Sequence, residues 1–435
     1  MTAPHVPETE SRVTIEPIHA SNSPWRLRYW SIFCGQTLSL IGSALTQFIL
    51  LWWITDSTGS ISALAMAGMA GLLPQAIISP IGGAFADRYS RRMLMLTADL
   101  ISSLCMLVLI MLFLTNRIEP WHVYLMMFIR SAMQAFQTPA ALASVSMLVP
   151  DSFLSRAAGL NQTMQGITLV AAAPFGAFAI GIMPLGCALT IDVITALLGC
   201  LPLLIYRIPQ AISQSRIGLS GLWGEFKEGL MVVWCHPGLR RLYAIMSLLL
   251  LVTSPAFTLI PLLVKSHFSG KAPEVALIEG MAGAGMIAGG IIVAIFAPRK
   301  KVRWILWGLA ASCLAIAATA LVPGDMFELA IICWMLGGLA FIVGDSPIIA
   351  LLQSSIPNHQ QGRVLSLMSM LMGLSAPVGL ALTTPAGEAI GIRWLFVVMG
   401  IVGGATCLIG FLSPAIRKLG EMKQVKEPGA KVSNR

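Results

Sequence analysis

Between residues 29 and 413 the sequence holds twelve runs of mostly apolar residues, each long enough to form a membrane-crossing helix. They cover 29–55, 62–86, 93–115, 120–148, 157–181, 183–206, 242–264, 276–297, 304–322, 325–350, 363–387 and 393–413. In hydrocarbon every backbone N–H and C=O must find its partner inside the chain, so consecutive runs of this length predict helices. A mean hydropathy of +0.81 with only 11% charged residues is far more apolar than a soluble core of this size can hide. The expected fold class is an all-α membrane protein.

Charge placement orients the spans. Counting alternate connections to one side, 23 of the 28 Lys and Arg fall with the two tails and the loops after even spans, and only Arg117, Lys265, Lys271 and Arg393 fall opposite. Arg130 lies within a span. The positive-inside rule therefore predicts both termini in the cytoplasm and a multi-pass protein of the inner (plasma) membrane. The net charge of +9 is accounted for by this loop bias, so no nucleic-acid partner is expected. Residues 1–28 lack the basic, apolar and small-residue zones of a signal peptide and read as a retained tail. The eight cysteines are scattered with no zinc-like spacing, so neither a metal site nor disulfides are expected.

The longest connection, 207–241, divides six spans from six. Within it Leu222, Phe226, Leu230, Val233 and Trp234 recur on one helical face opposite Glu225, Lys227 and Glu228, which suits either an amphipathic surface helix or a packed linker. The domain reading is thus a tail 1–28, a six-helix bundle 29–206, the linker 207–241, a second bundle 242–413 and a tail 414–435. The halves echo each other: Gly82-Gly83 precedes Gly289-Gly290 by 207 residues, and Val149-Pro150 with Arg156 precedes Ile356-Pro357 with Arg363 by the same offset. Pro174 in "AAAPFGA" answers Pro377 in "LSAPVGL" at 203. Parallel six-helix repeats about an axis along the membrane normal are a transporter plan, with the ligand site between the halves.

The stretch "GGAFADRYSRR", Gly82 to Arg92, closes the second span. Arg88, Arg91 and Arg92 suffice to anchor topology, and Asp87 is surplus to that task. A carboxylate there suits the N-terminus of a neighbouring helix, and the eleventh span offers one in "QGRVLSL", with Arg363 beside it. The expectation is a latch across the two halves. This stretch resembles the loop signature of the major facilitator superfamily, matching at Gly83, Ala86, Asp87, Arg88, Arg91 and Arg92 and departing at Phe85 and at Ser90, where the signature has glycine. Further stretches, among them "LPQAIISPIGGAFADR", "FIRSAMQAFQTPA" and "GRVLSLMSMLMGLSAPVGL", look like the macrolide-efflux branch of drug exporters across nearly all of 29–413. The resemblance implies the major facilitator fold, with two pseudo-symmetric six-helix bundles and the signature loop governing the change of access. It also likens Pro174 and Gly176 to the proline-glycine antiporter signature, with Ala173 where glycine is expected, and Arg130 to the fourth-helix arginine signature.

Ionisable groups in lipid are functional candidates by default. Four are read within the spans: Asp99, Arg130, Asp192 and Asp345. Arg130 and Asp192 fall at similar depth, about 15 Å down their helices at 1.5 Å per residue. They can pair either to permit their own burial or to exchange a proton. Asp99 either orients the signature arginines or titrates. Gln36 and Gln47 on the first span, Gln134 and Gln137 on the fourth, and Thr253 and Phe257 on the seventh are candidate cavity residues, with interhelical hydrogen bonding as the alternative use of the polar ones. Amides and hydroxyls among Met and Phe suit a bulky amphipathic ligand. No phosphate-binding loop or catalytic constellation is present, so neither an enzyme nor a cofactor is expected, and the energy source would be a proton gradient. The leading expectation is a monomeric exporter of amphipathic, macrolide-like compounds in exchange for protons. The alternatives are a dedicated exporter of a metabolite such as a siderophore, or a receptor or lipid-handling protein on the same scaffold.

Overall fold

The computed structural model describes residues 25–208, 227, 230, 231, 233–296, 300–355 and 358–414. The long helices are α1 (Trp25–Thr58), α2 (Ile61–Arg88), α3 (Arg91–Leu114), α4 (Pro120–Leu148), α5 (Asp151–Ile182), α6 (Thr190–Ile205), α7 (Pro237–His267), α8 (Ala272–Phe296), α9 (Lys301–Leu321), α10 (Phe327–Ser355), α11 (Asn358–Ile390) and α12 (Ile392–Leu412). Among the described residues, eleven spans are long and apolar enough to cross a membrane. The exception is α4, 29 residues long but carrying His122, Arg130, Gln134 and Gln137.

Several ends differ from the hydropathy reading, because helices outrun their apolar stretch where caps and loops permit. The first helix begins at Trp25, and the eleventh begins at Asn358 rather than 363. The sixth span is a single turn, Leu185–Ala188, followed by α6. Ser90, which departs from the signature, has φ −58°, and its hydroxyl accepts from Met93 N as the N-cap of α3. No left-handed residue is needed at this turn, so serine replaces glycine and adds a cap. In the 207–241 connection Leu222 and Phe226 lie outside the described residues, while Val233 is buried among Leu239, Leu242 and Val302 of the second half. The two tails lie outside the described residues as well, apart from Trp25–Arg28 and Pro414.

The packing repeats. In the first half α2 packs on α4, α3 on α4 and α6, and α1 on α5 and α6; in the second, α8 packs on α10, α9 on α10 and α12, and α7 on α11 and α12. Each relation in one half has its partner six helices on. Backbone contact explains the repeated glycine pair: a Cβ on Gly82 would stand 2.0 Å from the carbonyl oxygen of Ala135 on α4, and one on Gly289 would stand 2.5 Å from that of Leu339 on α10. The halves meet through α2 on α11 and α5 on α8, with α1 and α2 also touching α7.

Buried apolar residues divide unequally along the membrane normal. On the side away from the signature loop, one core joins both halves, from Leu50 and Leu64 to Leu263, Ile278 and Phe396. On the signature-loop side there are two cores, one around Tyr29, Met95 and Leu203 and the other around Tyr243, Leu306 and Val364. Among the described residues, the apolar core is therefore continuous between the halves on one side and divided on the other.

Two polar contacts fasten the closed side. Lys265 at the end of α7 pairs with Asp56 at 2.9 Å and donates to the carbonyls of Thr55 (3.3 Å) and Asp56 (2.7 Å) in the last turn of α1. Ser62 at the start of α2 donates to Glu388 near the end of α11.

Candidate substrate and coupling site

A cavity of about 420 Å³ lies within the first half. It gathers Gln36, Gln47, Asp99, Arg130, Gln134, Gln137 and Asp192, seven of the residues singled out in the sequence. Helix α1 supplies one wall because it approaches α6 closely. A Cβ on Gly42 would fall 2.0 Å from Thr195 Oγ1, so glycine there lets Ser43 reach across and donate to Asp192 Oδ1 at 3.0 Å.

Arg130 Nη2 stands 2.8 Å from Asp192 Oδ2, with side chains 13% and 4% exposed. Its Nη1 donates to Met106 Sδ at 3.6 Å. Pairing makes such burial tolerable, and removing one partner of a buried pair typically costs about 3–5 kcal/mol. Asp99 lies apart from this pair and meets neutral donors only: Gln137 Nε2 at 2.6 Å, Gln36 Nε2 at 3.5 Å and Cys200 Sγ at 3.7 Å. Gln137 also donates to Gln36 Oε1 at 3.2 Å, so three helices are tied through one carboxylate. Asp99 thus has glutamines, not the signature arginines, as its partners.

Among the described residues, Arg91 and Arg92 meet backbone carbonyls of their own half. Arg91 is buried, donating to the carbonyls of Ala143 (2.6 Å) and Ala86 (3.3 Å), and Arg92 caps the end of α6 at Leu203 and Leu204. Arg88 ends α2 on the surface. Asp87 is 67% exposed, with Arg91 Nη2 at 3.8 Å. Gly83, one turn back, has nothing within 4 Å of an added Cβ. The side chain of Arg363 lies outside the described residues, and so does the contact with Asp87 that the latch requires.

The remaining candidates fall elsewhere. Thr253 is buried, donates to Leu249 O at 2.9 Å and packs against Gly403 of α12; it is not among the residues lining the cavity. Phe257, also outside that lining, is 40% exposed and packs its ring on Trp334 and Phe341. Gly176 accommodates Phe48 of α1, and Pro174 abuts Gly280 of α8. Asp345 is half-buried on α10, beside Gly344, which packs on Leu309.

Sequence reasoning missed a fifth intramembrane ionisable residue, Glu279 of α8, which is half-buried and seven residues into its helix. It sits three residues inside the span drawn from hydropathy, close enough to its edge to pass for a loop residue. It missed Ser43 and Cys200 too, small residues that only the helix pairings bring to the carboxylates.

Comparison with known proteins agrees with this architecture. The family model of the Major Facilitator Superfamily matches residues 32–379 and 301–433. The chain is 30% identical over 396 residues to Macrolide efflux protein A of Streptococcus pyogenes, covering 91% of this chain and 98% of that protein. It is 23% identical over 404 residues to the Multidrug efflux pump Tap of Mycolicibacterium fortuitum, covering 89% and 95%. Among solved structures, a bacterial homologue of the human lysosomal transporter Spinster, inward-facing and unoccupied, superposes with a TM-score of 0.67 at 15% identity, covering 92% of this chain and 98% of the other. With its two matched six-helix halves and its signature loop, the chain belongs to the Major Facilitator Superfamily, is a transporter rather than an enzyme, and resembles the macrolide-efflux-type branch of that family.

Proposed function

We propose that the protein exports amphipathic, macrolide-like molecules by alternating access in exchange for protons, as a monomer without a cofactor. It would lie in the inner membrane with the signature loop, the linker and both tails in the cytoplasm. The core joined on one side and split on the other then corresponds to a state open to the cytoplasm. What supports the substrate class is the similarity to macrolide and multidrug efflux proteins together with a cavity rich in amides and hydroxyls beside Met127 and Met164.

The observation that carries the coupling is the ion pair of Arg130 and Asp192 in the cavity wall. A ligand or water that draws Arg130 away leaves Asp192 an unpaired carboxylate in a poorly hydrated site, which favours proton uptake; restoring the pair expels the proton. Asp87 is assigned to the state change. Exposed and weakly held here, it would engage the α11 N-terminus and Arg363 when the cytoplasmic side closes.

The test is erythromycin transport in proteoliposomes with an imposed pH gradient. Wild type should accumulate the drug, and an uncoupler should stop it. Asp192→Asn should bind erythromycin yet lose uphill transport, and Arg130→Ala should be worse because it strands the carboxylate. The charge-swapped double variant should recover expression but not uphill transport. Uphill, uncoupler-sensitive transport by Asp192→Asn refutes the assignment.

A further inference from the structure

Helix α8 presents four distinguishable faces. Leu277, Ile287, Ile291 and Ile295 are exposed, as lipid-facing residues are. Gly285 and Gly289 pack on the backbone of α10, and Gly280 and Gly283 pack on Pro174 and Val170 of α5 in the other half. The fourth face carries Glu279. Residues 279, 286, 290 and 293 share this face at helical spacing and are half-buried, whereas Ala272, Val275 and Ala276, one to two turns toward the closed side, are buried. Glu279 therefore sits beside the contact between the halves, which runs through Gly280 and Gly283, with its own side chain half-buried, about 10 Å from the start of α8 at 1.5 Å per residue.

Among the described residues Glu279 makes no hydrogen bond or ion pair. The ionisable side chains on the helices around it are Asp151 and Arg156 on α5; Glu328, Cys333 and Asp345 on α10; and Arg240, Arg241, Tyr243, Lys265 and His267 on α7. The arginines of α5 and α7 lie toward the signature-loop ends of their helices, and Lys265 is committed to Asp56. Pro174 has no N–H, so the carbonyl of Val170 lacks its helical donor, and Val170 is the residue against Gly283, one turn from Glu279.

We propose that Glu279 is a second proton-binding site, one that changes sides with the transporter and lies in the opposite half from the Arg130–Asp192 pair. In the state described, it would reach water on the signature-loop side, where the apolar core is divided. When α8 and α5 part on the other side, the loss of the Gly280 to Pro174 contact opens the same carboxylate to the opposite water. The carboxylate takes a proton from that water, is carried as the neutral acid through the closed contact, and gives the proton up on the signature-loop side. A charged, unpaired carboxylate resists passage through the closed contact, and the acid does not.

The inference rests on the antiport reading, and the experiment separates the two. In proteoliposomes, Glu279→Gln should keep erythromycin counterflow without a gradient within about twofold of wild type. It should lose uphill accumulation under a pH gradient, which Glu279→Asp should retain. Infrared difference spectra of the substrate-free protein between acid and alkaline pH should show a protonated carboxyl band that is absent in Glu279→Gln, a readout independent of transport. Full uphill accumulation by Glu279→Gln, or a carboxyl band unchanged in it, overturns the proposal and leaves antiport standing. Wild-type transport indifferent to the gradient overturns antiport and, with it, the coupling role of Glu279.

Discussion

Replacing Lys265 with Met removes one of the two polar ties on the closed face, leaving that of Ser62 and Glu388, while keeping most of the side-chain volume. Two contributions are lost. The ion pair with Asp56 is partly solvated, with side chains 31% and 61% exposed, and pairs of this kind contribute about 0.2–1 kcal/mol. The ammonium also caps the α1 C-terminus through the carbonyls of Thr55 and Asp56, where a cation contributes about 0.3–1 kcal/mol. Together they amount to about 1 kcal/mol, roughly a fivefold shift toward the state open on that side. Electron–electron distance measurements between nitroxides at Ser57→Cys and Ser266→Cys, both exposed, would read the two populations directly in a background lacking the eight native cysteines. High salt should move wild type in the same direction and leave Lys265→Met unchanged, because salt screens an exposed pair. A distance distribution identical in wild type and variant would refute the reasoning.

Gly82→Ala should lower the melting temperature in detergent and reduce expression, since its Cβ would meet the Ala135 carbonyl at 2.0 Å, while Gly83→Ala should leave the melting temperature unchanged. Overpacking of this kind costs about 1–3 kcal/mol. Asp87→Asn should insert normally but slow erythromycin efflux several-fold in cells; efflux at the wild-type rate would remove Asp87 from the switch. Thr253→Val should leave erythromycin affinity within about twofold by scintillation proximity, because the hydroxyl is spent on its own helix at Leu249.

The sequence exposed the architecture through hydropathy, loop charge and the recurring 207-residue offset, because lipid forces each helix to declare itself in its own composition. α4 shows the limit of that signal: the polar side chains that make it a cavity wall are what dilute its apolarity. Depth counting brought Arg130 and Asp192 to the same level, since rise per residue is fixed, and they stand at 2.8 Å. Rotation about each helix axis was not legible. Thr253 and Gln47 are both polar residues on central helices, yet one faces α12 and the other the cavity, a difference set by which neighbour each helix leans on. The same blindness hid the partners of Asp99, which come from α1, α4 and α6, and the inward turn of Glu279.

The cavity is lined, among the described residues, by the first six helices alone, and this bears on what a bound molecule can accomplish. A passenger held by one bundle rides in that bundle's frame, and its contacts survive whichever way the other bundle tilts. Its affinity is then nearly the same in both states, and a ligand with equal affinity for two states shifts neither, however tightly it binds. Cargo seated only there acts on the cycle through the Arg130–Asp192 pair in the same wall, and not through contacts that the moving half makes or breaks. A molecule large enough to reach the second half as well acquires a vote that a small one lacks.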